Sequence, residues 1–154
     1  MKFNWQEYKE RNEAKRYFRQ NNDQFLSSEQ WIKTIGAGLL GAIVLGVIHG
    51  AITMKLEMDF SLFYIVIGYA VANILTSVSK VSSPQIGIAS AILTFVSFYF
   101  SHVASLYIMN SMIGFQVLSF GNILYYAAQS FMYNDLLDWI FIIIGVFVAY
   151  QQGQ

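Results

Sequence analysis

Apolar residues occur in long blocks along this chain, and short polar links separate the blocks. The clearest block runs from Thr34 to Met54, where 21 residues carry no charged side chain and Lys33 and Lys55 flank them. As an α-helix this block is about 31 Å long at about 1.5 Å per residue, which matches the roughly 30 Å of a bilayer's hydrocarbon core. The pattern predicts a transmembrane helix over residues 28–54.

Local signals mark the start of this first helix. Ser27 is a suitable N-cap, and Gln30 three residues later completes a capping box. Leu26 and Trp31 occupy the two positions of a hydrophobic staple. Trp31 also suits the membrane–water interface, where aromatic side chains are enriched.

Three further apolar blocks predict helices over residues 60–79, 85–109 and 135–152. Pro84 directly precedes the third block, and proline is favourable at a helix start because its missing N–H needs no partner there. We therefore expect an all-α polytopic membrane protein, with four transmembrane helices in one domain over residues 28–154.

Residues 111–133 join the last two blocks and are harder to interpret. They carry no charge, yet serine, asparagine and glutamine interrupt them, and six aromatic residues lie between positions 115 and 133. This mixture is typical of a helix in the interface plane or of a re-entrant segment, and the sequence leaves both alternatives open.

Residues 1–27 form a polar N-terminal arm that contains aromatic residues and most of the cations. Glu7, Glu10 and Glu13 dilute its basic charge. One interpretation is a basic, aromatic helix on anionic lipid headgroups. The alternative is a solvated cytoplasmic arm, or a contact with a neighbouring subunit.

The placement of cations predicts the orientation in the membrane. Seven of the nine Lys and Arg residues lie in the first 33 positions, and only 12% of the chain is charged, against 56% hydrophobic. With the N-terminus inside, Lys80 also lies inside and only Lys55 lies outside. Lys and Arg accumulate in cytoplasmic loops, so we expect a multi-pass protein of the cell membrane with a cytoplasmic N-terminus.

Two rows of small residues are predicted helix-packing surfaces. They are Gly38, Ala42, Gly46 and Gly50 on the first helix, and Gly68 and Ala72 on the second. Every fourth residue stays on about one helix face, and small residues let helices approach closely in lipid. Because two such surfaces exceed what one short bundle needs internally, we expect self-association or binding to another membrane protein.

The third helix carries a stripe of hydroxyl groups along one face. The stripe begins at a glycine and continues with five hydroxyl residues: Gly87, Ser90, Thr94, Ser97, Ser101 and Ser105. A hydroxyl in a membrane helix can bond the carbonyl one turn back or a neighbouring helix. We interpret the stripe as a packing surface, and a solvated path is the alternative.

His49 and His102 fall at similar depths in two predicted spans, and ionisable residues inside a membrane are candidate functional sites. Each could be the other's partner in a shared proton site, a pH switch or part of a metal site. The alternative is that each imidazole bonds a neighbouring hydroxyl or carbonyl. Asn73, in the second span, is a candidate for a hydrogen bond to a partner helix.

Asp135 and Asp138 lie where the last helix begins, and a helix N-terminus favours acidic side chains. Asn134 is a suitable cap for that helix. A cation site made by the two carboxylates is the alternative.

Motifs for enzyme chemistry are absent from the sequence. It contains no cysteine, which excludes thiolate chemistry, and no nucleophile elbow, zinc-protease motif or phosphate-binding loop. We therefore expect no catalytic residues, no cofactor, no metal site and no binding to nucleic acid; the lipid bilayer is the expected environment.

Two segments carry a resemblance to known proteins. They are residues 63–73 (FYIVIGYAVAN) leading to Lys80, and residues 136–141 (LLDWIF) ending in 148–150 (VAY). In these segments the chain resembles a loose group of small bacterial membrane proteins without assigned function. The resemblance implies a bacterial cytoplasmic membrane and four helices, and it implies no activity.

The sequence thus predicts a non-enzymatic membrane protein that acts by helix packing, as a homo-oligomer or as an accessory subunit of a membrane complex. One alternative is a small oligomeric channel or transporter lined by the third helix. Another is an immunity or stress protein that binds a membrane-active partner.

Overall fold

The computed structural model describes residues 26–56, 61–112 and 118–154, and within these ranges it contains five α-helices and no strands. The helices are α1 (Ser28–Leu56), α2 (Phe63–Ser79), α3 (Pro84–Met112), α4 (Phe120–Met132) and α5 (Leu136–Gly153). The all-α prediction is confirmed for these ranges. The predicted N-terminal arm spans residues 1–27, and its residues 1–25 lie outside these ranges.

Three of these helices, α1, α3 and α5, are long and apolar enough to cross a membrane, judged by length and composition. Helix α2 is apolar but has only 17 residues, about 26 Å at about 1.5 Å per residue. Membrane-compatible helices are therefore confirmed, and the count of four spans stays a prediction.

The ends of two helices follow the predicted local signals. At α1, the Gln30 N–H donates to Ser27 Oγ at 3.2 Å and the Ser27 N–H donates to Gln30 Oε1 at 3.0 Å, which is the predicted capping box. Helix α3 begins at Pro84, as predicted, and the Ile86 N–H donates to Ser83 Oγ at 3.2 Å.

Helices α1, α2, α3 and α5 pack as a bundle, in which α1 and α5 each contact both α2 and α3. The centre of the bundle is apolar. Its largest fully buried side chains include Phe98 on α3, Leu75 on α2 and Ile142 on α5. The Phe98 ring contacts the Tyr64 ring, with centroids 4.6 Å apart.

Polarity is distributed in this bundle as lipid requires. Large apolar side chains cover the outside, such as Leu40 at 67% and Ile143 at 63% exposure, whereas the hydroxyl residues Thr34, Thr94 and Ser97 are completely buried. A soluble protein mostly exposes its polar residues, while polar side chains in a membrane protein face the bundle interior. The burial pattern therefore supports a membrane environment.

Helix α4 runs back along the C-terminal half of α3. In chain order, the contacts pair Leu118 with Asn110, Leu124 with Tyr99, Ser130 with His102, and Phe131 with Phe95. The first of these contacts is therefore near the C-terminus of α3, at Asn110, and the last is nearer its middle, at Phe95. Helix α3 is itself a candidate span, and whether α4 is re-entrant or lies in the interface plane stays a prediction.

The link before α3 is joined to the end of α5. The Ser83 N–H donates to the Gly153 carbonyl oxygen at 3.0 Å. A β-carbon on Gly153 would lie 2.7 Å from the Gly87 Cα, so the two helix ends are in close backbone contact.

Candidate functional site

The small-residue row of α1 packs directly on the backbone of α3. A β-carbon on Gly46 would overlap the Ser97 carbonyl oxygen, and one on Gly50 would overlap the Ser101 carbonyl oxygen. No side chain fits at either position without movement of the backbone. We call this contact between α1 and α3, around Gly46, Gly50, Ser97 and Ser101, the glycine seam.

The other members of the two rows are also used inside the chain. Gly38 packs on the side chains of Leu75 and Leu93, and Gly68 packs on the backbone of Gly145 in α5. Ala42 and Ala72 are completely buried. The expectation that the rows exceed the needs of one bundle is therefore wrong, because the chain's own helices cover both of them.

The hydroxyl stripe of α3 lies in the interior of the bundle. Ser90, Thr94 and Ser97 are fully buried, and their hydroxyl oxygens find no hydrogen-bond partner among the described residues. The Ser105 hydroxyl lies 3.2 Å from the Gly50 carbonyl oxygen and 3.0 Å from that of Ser101. Ser105 thus has available both the back-bond and the interhelical bond that the sequence predicts for such hydroxyls.

His49 is placed by the glycine seam. It is 5% exposed, and its Nδ1 lies 2.7 Å from the Ser101 hydroxyl of α3. Its ring contacts the rings of Phe63 and Tyr64, at centroid distances of 5.9 and 5.2 Å. Because Gly50 removes the side chain beside it, α1 and α3 lie close enough for this bond to span the interface.

His102 lies on a different face of α3 and contacts α4. Its Nδ1 is 3.3 Å from the Ser130 hydroxyl, and its ring lies edge-on to Phe131 with centroids 5.5 Å apart. Each histidine thus bonds a serine hydroxyl, which is the alternative stated from the sequence. A proton site shared by the two imidazoles stays a prediction.

Within the part of the chain that the structure describes, Asn73 bonds its own helix and not a partner helix as expected. Its Nδ2 donates to the Tyr69 carbonyl oxygen at 2.9 Å, one turn back on the same helix. This bond satisfies the amide locally, because the side chain of Asn73 lies towards the outside of the bundle and not in its core.

The acidic start of α5 also differs from expectation. Asp135, not Asn134, is the N-cap residue, and its side chain makes no capping bond. Asp138 accepts a hydrogen bond of 2.5 Å from the Ser61 hydroxyl before α2. Ser61 has no distinctive signal in the sequence, since its role depends on how α2 and α5 lie side by side.

Of these two acidic residues, Asp138 therefore connects α5 to the start of α2 through its bond with Ser61. In the described ranges, no three His, Cys, Asp or Glu residues come together in a way that could hold a metal ion. The cation site stated as an alternative gains no support from this arrangement.

Comparison with known proteins gives no family for this chain: no family model, no curated protein and no solved structure matches it.

Proposed function

We propose that this chain is a non-enzymatic integral membrane protein that acts through its outer helix surfaces, as a homo-oligomer or as an accessory subunit of a membrane complex. Four helices, α1, α2, α3 and α5, cross the cytoplasmic membrane of a bacterium, and the N-terminus is cytoplasmic. Helix α4 enters the outer leaflet beside α3.

The glycine seam is the observation that carries this proposal. The hydroxyl stripe of α3 is the surface that would line a conduit. In the structure its Ser97–Ser101 part faces α1 at backbone contact distance around Gly46 and Gly50, and its Gly87–Ser90 part faces the end of α5. A bundle packed in this way has its interior filled by its own chain. Any partner then meets the outward faces, where apolar side chains such as Leu40 and Ile143 are exposed.

The covered rows also change which surface an assembly would use. Self-association through Gly46 and Gly68 would require the chain's own helices to separate, so association through the outward faces is the simpler arrangement. The predicted function is unchanged, but the surface proposed to contact a partner is the exposed apolar side chains and not the glycine rows.

Native mass spectrometry in a mild detergent tests this proposal. We expect the full chain to be extracted in more than one copy or with a second membrane protein. Photo-reactive residues at Leu40 of α1 and Ile143 of α5, both exposed, then identify the face in contact. A monomer that copurifies with nothing and gives no crosslink from either position contradicts the proposal.

An oligomeric channel or transporter remains the second candidate. The observation that favours it is the buried Ser97 hydroxyl, which finds no hydrogen-bond partner among the described residues. Ser97 lies at the glycine seam, so separation of α1 and α3 would expose this hydroxyl to water. Proteoliposomes that contain the purified chain test this function. Flux of ions or small solutes that disappears in Ser97→Val supports it, and tight vesicles contradict it.

A further inference from the structure

We draw no further inference here: the strongest candidate, the apolar groove of about 480 Å³ between α3 and α5 that Ile92, Phe95 and Phe147 line, carries none, because nothing in the structure shows what covers it.

Discussion

Helix α3 packs on α1 and on α4 in two different ways. Towards α1, at the glycine seam, backbone lies on backbone, and the His49 side chain crosses from α1 to the Ser101 hydroxyl of α3. Towards α4, long side chains of α3 make the contacts. The Phe95 ring lies edge-on to the Phe131 ring with centroids 5.0 Å apart, and the Tyr99 hydroxyl donates to the backbone carbonyl oxygen of Leu124.

This difference indicates which of the two contacts tolerates substitution by a larger residue. A backbone contact has no free volume and cannot adapt to a larger residue, because interiors are closely packed. A contact between long side chains can repack by changing rotamers. Helix α4 also packs mainly on α3 and much less on the other helices. We therefore expect α4 to separate from the bundle more easily than α1 does.

The largest expected effect is at the glycine seam. Gly46→Val should lower the free energy of unfolding by about 3 kcal/mol, because the new side chain overlaps the Ser97 carbonyl. Gly36→Val on the same helix, where a β-carbon meets nothing within 4 Å, should change it by less than about 0.5 kcal/mol. Unfolding by SDS in mixed micelles measures both, and equal effects would contradict the backbone contact.

The second-largest effect on stability is expected at His49, and it should exceed the effect at His102. His49→Ala leaves the buried Ser101 hydroxyl without its bond and should destabilise by about 1–3 kcal/mol. His102→Ala should destabilise by less than about 1 kcal/mol, since its bond to Ser130 is longer and partly exposed. A double-mutant cycle of His49→Ala with Ser101→Ala isolates the pair, and a coupling energy near zero would rule out this bond as a stabilising contact.

Helix α4 should loosen without global unfolding when its first anchor is removed. The Asn110 side chain donates to the Leu118 carbonyl oxygen at 3.3 Å and accepts from the Leu118 N–H at 3.1 Å. Asn110→Ala should cost about 1 kcal/mol locally. Hydrogen exchange should then speed up in residues 118–132 while residues 34–50 of α1 keep their protection. Unchanged exchange in α4 would show that Asn110 does not anchor it.

The smallest effect is expected on the outer side of α4. Gly121 has no atom within 4 Å of an added β-carbon, so Gly121→Ala should be neutral or stabilise by up to about 1 kcal/mol through helix propensity. The same SDS titration measures it. A destabilisation comparable to that of Gly46→Val would show that α4 is packed as tightly as the glycine seam.

Local and periodic signals predicted much of this structure. The capping box of Ser27 and the start of α3 at Pro84 depend on residues within one turn of each other, so the sequence contains all the information that they need. The small-residue row through Gly38 and Gly46 was predicted as a packing surface by its period of four, and in the structure these two residues lie close to neighbouring helices.

Partners across helices could not be predicted in the same way. The bond of His49 to Ser101 and that of Ser61 to Asp138 depend on the rotation and the relative height of two helices, which no single helix specifies. The same holds for the covered glycine rows, since the period shows that a row packs but not whether α3 or a second chain covers it. The course of α4 along α3 was open for this reason too.

The bond between Ser83 and Gly153 has a consequence for biogenesis. A ribosome makes the chain from its N-terminus, so α3 is synthesised before α5 exists. During that interval the first turns of α3, with Gly87 and Ser90, lack the helix that covers them in the finished protein. We therefore expect insertion of α5 to be the step that completes the bundle, and a nascent chain stopped before Leu136 to depend on lipid or an insertion factor to shield that surface.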